Sequence, residues 1–147
     1  MNYMRLFLMT IWSFVSMIIL MYVMIDNYSN IFLNLNQYYM AGIMTIPMII
    51  FELLLMSGMY PNKRLNNLLF LFFTTTFFIL FFCIRKQVAV DDTQFLKSMI
   101  PHHAAAILMC KEAHLQRPDV KQLCANIGKT QQQEIDFMKE QLEILKK

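Results

Sequence analysis

Charge is scarce in the first 86 residues, which hold only seven charged side chains although the 147-residue chain has 13 Lys or Arg and 10 Asp or Glu. With 57% hydrophobic residues overall, this scarcity excludes an ordinary soluble domain for that part. The sequence also lacks H-E-x-x-H, C-x-x-C, E-x-x-H, C-x-x-C-H and a phosphate-binding loop. Because no nucleophile stands beside an oriented base either, we predict that the chain is not an enzyme.

Three apolar runs predict three membrane-spanning helices, at about residues 6–25, 39–59 and 68–84. About 20 residues at a rise of 1.5 Å each cross a hydrocarbon layer roughly 30 Å thick. The first run is too long for a signal-peptide core and no small-x-small cleavage site follows it, so we expect it to be retained. We therefore predict a membrane domain over residues 1–86 and a water-soluble domain over residues 87–147.

Basic residues in the short loops predict how these helices are oriented. Arg5 precedes the first run and Lys63 and Arg64 lie between the second and third, whereas the loop after the first run has neither Lys nor Arg. The positive-inside rule then places the N-terminus in the cytoplasm and the C-terminal domain outside it, although Arg85 and Lys86 oppose this orientation. We expect a multi-pass protein of a bacterial inner membrane with a periplasmic C-terminal domain.

A seven-residue repeat from residue 91 onward predicts two antiparallel helices, so the expected fold class is all-α. The repeat is interrupted at QRPDV, where Pro118 suits the first turn of a new helix and the chain folds back near Arg117. Pro101 fits the first helix only with a kink or a restart. The predicted seam comprises Phe95, Met99, His102, Ala106, Met109 and Ala113, facing Val120, Cys124, Ile127, Gln131, Glu134, Met138, Gln141 and Leu145.

This predicted seam contains polar and sulfur-bearing side chains where apolar ones are expected. Folding near residue 117 brings His102 and His103 within one turn of Glu134, and Met99 close to Met138. Because unpaired buried polar groups are costly, these side chains either satisfy one another or share a ligand. Imidazole and thioether donors together suit Cu(I), with Ag(I) and Cu(II) as alternatives. The other interpretation is that one histidine bonds within the core while its neighbour faces water.

The segments DDTQFLKSMIPHHAAAILMC and DVKQLCANIGKTQQQEIDFMKEQL closely resemble the domain-of-unknown-function 305 family over about residues 91–142. The family pattern includes M-I-x-H-H on the first helix and Q-x-x-E-I-x-x-M on the second. The resemblance implies a ferritin-like helical bundle and, as in some members, periplasmic copper or silver binding linked to metal resistance. It implies Met99, His102, His103, Met109 and Met138 as ligands, with Gln131 and Glu134 in support; His114, Cys110 and Cys124 are further supporting candidates.

Two features depart from the family pattern. Cys110 and Cys124 replace small residues and lie opposite each other in the hairpin, where they form a disulfide, add thiolates to a metal path, or pack as small core residues. The second departure is size, because two helices cannot bury a full core alone. We therefore predict that a second copy completes a four-helix bundle, or that the hairpin packs on the membrane domain.

The second apolar run carries Met40, Met44, Met48, Glu52 and Met56 at a constant step of four. A thioether stripe with an intramembrane carboxylate at Glu52 is a speculative copper relay. The plainer interpretation is that the methionines face lipid or pack, while Glu52 bonds to Thr45 or to a neighbouring helix.

The favoured function is a membrane-anchored protein that binds copper in its C-terminal hairpin, for sequestration, resistance or hand-over. The alternative is a helical oligomerisation or interaction module on a membrane anchor, in which the polar layer sets the register of the helices. The expected partners are a metal ion, membrane lipid and a second copy of the chain, without nucleic acid.

Overall fold

A computed structural model describes residues 2–146, with the side chain of residue 2 excepted, and this part of the chain is helical without any strand. The all-α prediction is thus confirmed for the described residues. The α-helices are α1 (Asn2–Leu20), α2 (Leu35–Leu55), α3 (Lys63–Lys86), α4 (Asp92–Glu112) and α5 (Pro118–Leu145). Single turns of 3-10 helix lie at Tyr28–Asn30 and Ser57–Met59.

The described residues form two compact units. The apolar unit comprises residues 2–21 and 36–89 and contains α1, α2 and α3. Each of these three helices is long and apolar enough to cross a membrane. The hairpin unit comprises residues 22–35 and 90–146 and contains α4 and α5. The chain therefore contributes two separate segments to each unit.

A polar cluster connects the three helices of the apolar unit. It consists of Tyr3, Glu52, Tyr60 and Asn66. The Tyr60 hydroxyl donates to Glu52 Oε1 at 3.0 Å, so the partner of Glu52 is a tyrosine between α2 and α3, where Thr45 or a neighbouring helix was expected. The Asn66 amide donates to the Tyr60 carbonyl oxygen at 3.0 Å and accepts from the Tyr3 hydroxyl at 2.8 Å. Burial and the Glu52 carboxylate raise the pKa of Tyr60 above its ordinary value. This network links α1, α2 and α3 beside the turn that joins the last two.

The hairpin unit has one apolar core between its two antiparallel helices. Asp91 caps the N-terminus of α4, because its carboxylate accepts a hydrogen bond from the Gln94 backbone N–H at 2.7 Å. At the start of α5, Asp119 accepts hydrogen bonds from Arg117, which hold the pKa of Asp119 below its ordinary value. The buried core residues are Ile100, Ala104, Ile107, Ile135, Met138 and Leu142.

The seam predicted for α4 was wrong by one residue. Phe95, His102 and Met109 are exposed, whereas Ile100 and His103 are buried. The predicted face and its neighbour both have the spacing of a packed helix, but only the neighbouring face carries branched aliphatic side chains. Burial of those side chains stabilises the hairpin, and the imidazole that this face buries, His103, has protein partners at both ring nitrogens, which offset its loss of hydration.

Residues 22–35 pack on the hairpin, which the sequence did not predict. The first apolar run was expected to continue to about residue 25, but α1 ends at Leu20. The helix ends early because the residues that follow it are buried elsewhere: the side chains of Ile25 and Phe32 pack against the hairpin core. The Tyr22 hydroxyl also donates to the Phe32 carbonyl oxygen at 2.8 Å and stabilises the bend of this segment.

Pro101 lies inside α4 without ending it, and a residue of segment 22–35 satisfies the carbonyl that the proline leaves open. Proline has no N–H, so the carbonyl of Lys97, four residues earlier, lacks its helical donor. The buried side chain of Asn34 supplies one, because its Nδ2 donates to the Lys97 oxygen at 3.3 Å. The adjacent Leu35 N–H donates to Gln94 Oε1 at 2.9 Å and anchors the segment on α4.

Replacing the Asn34 donor tests this role. We expect Asn34→Asp to destabilise the hairpin unit by about 1–3 kcal/mol, because it places a carboxylate against a carbonyl that has lost its partner. Hydrogen exchange of the α4 peptides in the detergent-solubilised full chain measures the effect. Asn126→Asp, on the exposed face of α5, is the control and should leave exchange unchanged. Equal protection in both variants would contradict the role given to Asn34.

Cys110 and Cys124 are joined by a disulfide that links the end of α4 to the start of α5, 14 positions apart. Loss of this link in a Cys110→Ser, Cys124→Ser double variant should lower the free energy of unfolding by about 3 kcal/mol, because the unfolded chain gains loop entropy. Denaturant unfolding followed by circular dichroism gives the difference. Cys83→Ser, which removes the free thiol of α3, should have no comparable effect. A wild-type chain whose unfolding midpoint does not respond to reductant would count against this prediction.

Candidate metal site

His103 lies buried between α4 and α5, with 8% of its surface exposed. Its Nδ1 is 2.8 Å from the carbonyl oxygen of Met99, one turn earlier on α4. Its Nε2 is 2.7 Å from Glu134 Oε2 on α5. Because a carbonyl oxygen can only accept, Nδ1 carries a proton and donates it, which directs Nε2 toward the partner helix. The ring is therefore held in one orientation by its own helix.

The contact between His103 and Glu134 connects the two helices through a polar pair. The ring is an ion-pair partner when Nε2 is protonated and offers a free lone pair when it is not. The Glu134 side chain is 50% exposed, so water screens the pair and leaves the carboxylate free to turn outward. The pair contributes modestly to stability. It also places one nitrogen that can ligate a metal, His103 Nε2, at the interface of the helices.

Two methionines flank this pair. Met99 precedes His103 by one turn and Met138 follows Glu134 by one turn, so the antiparallel helices place the two methionines at the same level. Met138 is buried in the core and Met99 packs against that core. We call Met99, His103, Glu134 and Met138 the Met/His layer.

The other predicted site residues on α4 and its connection lie outside this layer. His102 and Met109 are on the exposed face of α4, and His114 is exposed in the connection to α5. Cys110 and Cys124 are bonded to each other, so neither offers a thiolate in this structure. His103 bonded within the core beside an exposed His102 matches the second interpretation of the histidine pair.

The remaining predicted residues lie on α5 and in the apolar unit. Gln131 is half-buried on α5, one turn before Glu134. In α2, Met40, Met44 and Met48 are each about two-fifths exposed, and Glu52 is bonded to Tyr60. The methionine stripe therefore lies on the outer surface of the apolar unit, as expected for side chains that face lipid.

The donors of the Met/His layer define the chemistry that it can support. Among residues 2–146, no group of three or more His, Cys, Asp or Glu side chains is placed to hold a metal ion. The layer instead combines one imidazole nitrogen, two thioether sulfurs and one carboxylate. Thioether and imidazole ligands suit Cu(I), whereas zinc sites use thiolate, imidazole and carboxylate ligands. The sequence analysis did not identify Asn34 as a structural residue. The proline at position 101 indicated that a carbonyl would lack its helical N–H donor, but not which side chain would replace that donor.

Comparison with known proteins places this hairpin in a described family. A family model described as "Domain of unknown function (DUF305)" matches residues 84–142. The chain is 34% identical over 141 residues to "Uncharacterized protein L153" of Acanthamoeba polyphaga mimivirus, which covers 94% of this chain and 91% of that protein. The similarity thus extends beyond the family domain into the apolar helices. No solved structure matches the chain.

The coupling between His103 and Glu134 is measurable by a double-mutant cycle. We expect Glu134→Ala to lower the free energy of unfolding by about 1 kcal/mol, and much less when His103 is already alanine, because the pair is partly solvated. Denaturant unfolding of the four chains gives the coupling energy. Glu143→Ala, which removes an exposed ion pair with Lys146, is the control and should change stability little. Additive effects at His103 and Glu134 would mean that the pair is not energetically coupled.

Proposed function

The chain belongs to the DUF305 family through residues 84–142, and on that premise we propose that it is a membrane-anchored metal-binding protein. The cargo that we propose is copper, as Cu(I), with Ag(I) and Cu(II) as chemical alternatives. The Met/His layer binds the ion, and the protein sequesters it or hands it on, which would protect a cell exposed to excess metal.

The orientation of His103 is the observation that carries this proposal. Histidines that bind metals usually donate their other ring N–H to a carbonyl or carboxylate, which holds the free nitrogen toward the ion. His103 has this arrangement, with Nδ1 on the Met99 carbonyl and Nε2 facing α5. The Met99 and Met138 thioethers supply the soft donors one turn away, and Glu134 either joins as an oxygen donor or turns to solvent.

We also propose that a second copy packs against the hairpin and completes a ferritin-like four-helix bundle. Phe95, His102 and Met109 form an exposed stripe on α4 at seven-residue spacing. Exposed apolar residues repeat every seven or fourteen positions on α5 as well. These are Leu123, Phe137 and Ile144. Such spacing is typical of helices that pack on a partner, and His102 and Met109 would then face the other copy.

The disulfide supports a location for the hairpin unit. Disulfides persist in oxidising compartments and are rare in the cytosol. A hairpin unit outside the cytoplasm agrees with Arg5, Lys63 and Arg64 on the cytoplasmic side. We therefore propose a multi-pass protein with a cytoplasmic N-terminus and its hairpin on the oxidising side of the membrane, which in a bacterium is the periplasm.

A second candidate function is a helical interaction module that binds no metal. The observation that favours it is that both ring nitrogens of His103 already face protein acceptors. A buried polar pair of this kind sets the register of packed helices without any ligand.

Competition titration of the full chain in detergent against a coloured Cu(I) chelator separates the two functions. We expect Met99→Leu, Met138→Leu to weaken Cu(I) binding by at least about tenfold while the fold is kept, since Met and Leu have similar volumes. The full chain is needed because residues 22–35 pack on the hairpin.

Met40→Leu, Met48→Leu is the matched control, because it removes two thioethers from the exposed face of α2. This control should retain wild-type affinity for Cu(I). If the Met99 and Met138 double variant binds as tightly as the control, the Met/His layer is not the binding site. If no chain competes with the chelator, the interaction module is the better description.

A further inference from the structure

The apolar unit contains a cavity of about 670 Å³ where α2 ends and α3 begins. Its walls come from the last turn of α2, the 3-10 turn at Ser57–Met59 and the first two turns of α3. The volume lies within the range of small-molecule sites. This cavity belongs to a different unit from the Met/His layer, so a ligand bound there is independent of the proposed metal binding.

The lining changes from polar to apolar along the helices. Lys63 and Ser57 line the end nearest the turn, whereas Leu54 and Phe70 line the part within the two apolar helices. Phe70 follows Lys63 by seven positions, which corresponds to about 10 Å along α3. A phospholipid has the same order of chemistry, with a charged headgroup at the membrane surface and acyl chains below it.

Hydrogen-bond donors in this cavity are available to a ligand. Within residues 2–146, the side chains of Lys63, Ser57 and Asn67 make no hydrogen bond or ion pair. Asn66, in contrast, is held by Tyr60 and Tyr3 and forms a fixed part of the wall. The lining residues of the described cavity include no acidic side chain. The polar end is therefore positive and rich in unused donors.

We propose that this cavity binds the phosphate-bearing headgroup of an anionic membrane phospholipid. Lys63 pairs with the phosphate, Asn67 and Ser57 donate to its oxygens or to the glycerol, and an acyl chain lies along Leu54 and Phe70. Basic pockets between membrane-spanning helices recognise anionic headgroups in this way. The bound lipid would hold the ends of α2 and α3 at the level of the membrane surface.

Lipid retention by the full chain tests the proposal. The chain is purified in detergent with equal amounts of phosphatidylglycerol and phosphatidylcholine, and bound lipid is counted by native mass spectrometry. We expect preferential retention of phosphatidylglycerol, reduced about fivefold in Lys63→Gln. Arg64→Gln removes the same charge from the next residue, which does not line the cavity, and should retain the lipid.

A second variant tests the cavity without changing charge. A Cβ added at Gly58, which lines the cavity, meets no atom within 4 Å, so the backbone there has room for a side chain, and Gly58→Trp is designed to fill the cavity. We expect this variant to lose phosphatidylglycerol, whereas Gly128→Trp, at an equally open position on α5, should keep it. Circular dichroism of each variant verifies that the helices are retained.

Three outcomes would overturn the proposal. Equal losses in Lys63→Gln and Arg64→Gln would show that general surface charge attracts the lipid. Undiminished retention in Gly58→Trp would place the lipid elsewhere. Displacement of phosphatidylglycerol by millimolar inorganic phosphate would identify a site for free phosphate in place of a lipid headgroup.

Discussion

The hydrogen bond from Asn34 to the Lys97 carbonyl oxygen answers the constraint that Pro101 places on the hairpin unit. Pro101 deprives that carbonyl of its helical donor, and a buried carbonyl without a partner costs about 1–3 kcal/mol. With Asn34 in place, α4 continues through the proline to Glu112. The continuous helix then places Ile100, Ala104 and Ile107 on one buried face, and the same rotation brings His103 into the interface with α5.

The Met/His layer lies between two constraints on α4. The Asn34 contact holds the helix at Lys97, and the disulfide holds it at Cys110. His103 is between them, with its ring fixed by the Met99 carbonyl and facing Glu134. A donor nitrogen held in this way loses little conformational freedom when an ion binds, which is the physical basis of preorganisation. Thioethers are soft ligands that suit Cu(I), so donor type and rigidity together support the proposed function.

Local patterns explain which predictions agree with the structure. The seven-residue repeat and Pro118 predicted two helices, and Cys110 and Cys124 were expected to lie opposite each other, as their disulfide requires. The buried face of α4 was misassigned by one residue, because two adjacent faces carry the same spacing and only the packing of Ile100 and Ile107 decides between them. The ligand set inferred from the family pattern includes His102 and Met109, which a single chain exposes.

The sequence by itself determined the helical class and the three apolar helices, because these depend on composition and on spacing within one helix. Only the tertiary structure decided that His103, and not His102, is buried between the two hairpin helices. It also decided that Glu52 accepts a hydrogen bond from Tyr60. It further decided that the helix of the first apolar run ends at Leu20 and that residues 22–35 pack on the hairpin. Asn34 and Lys97 are 63 positions apart, and no local pattern encodes which distant donor satisfies a carbonyl left open by proline.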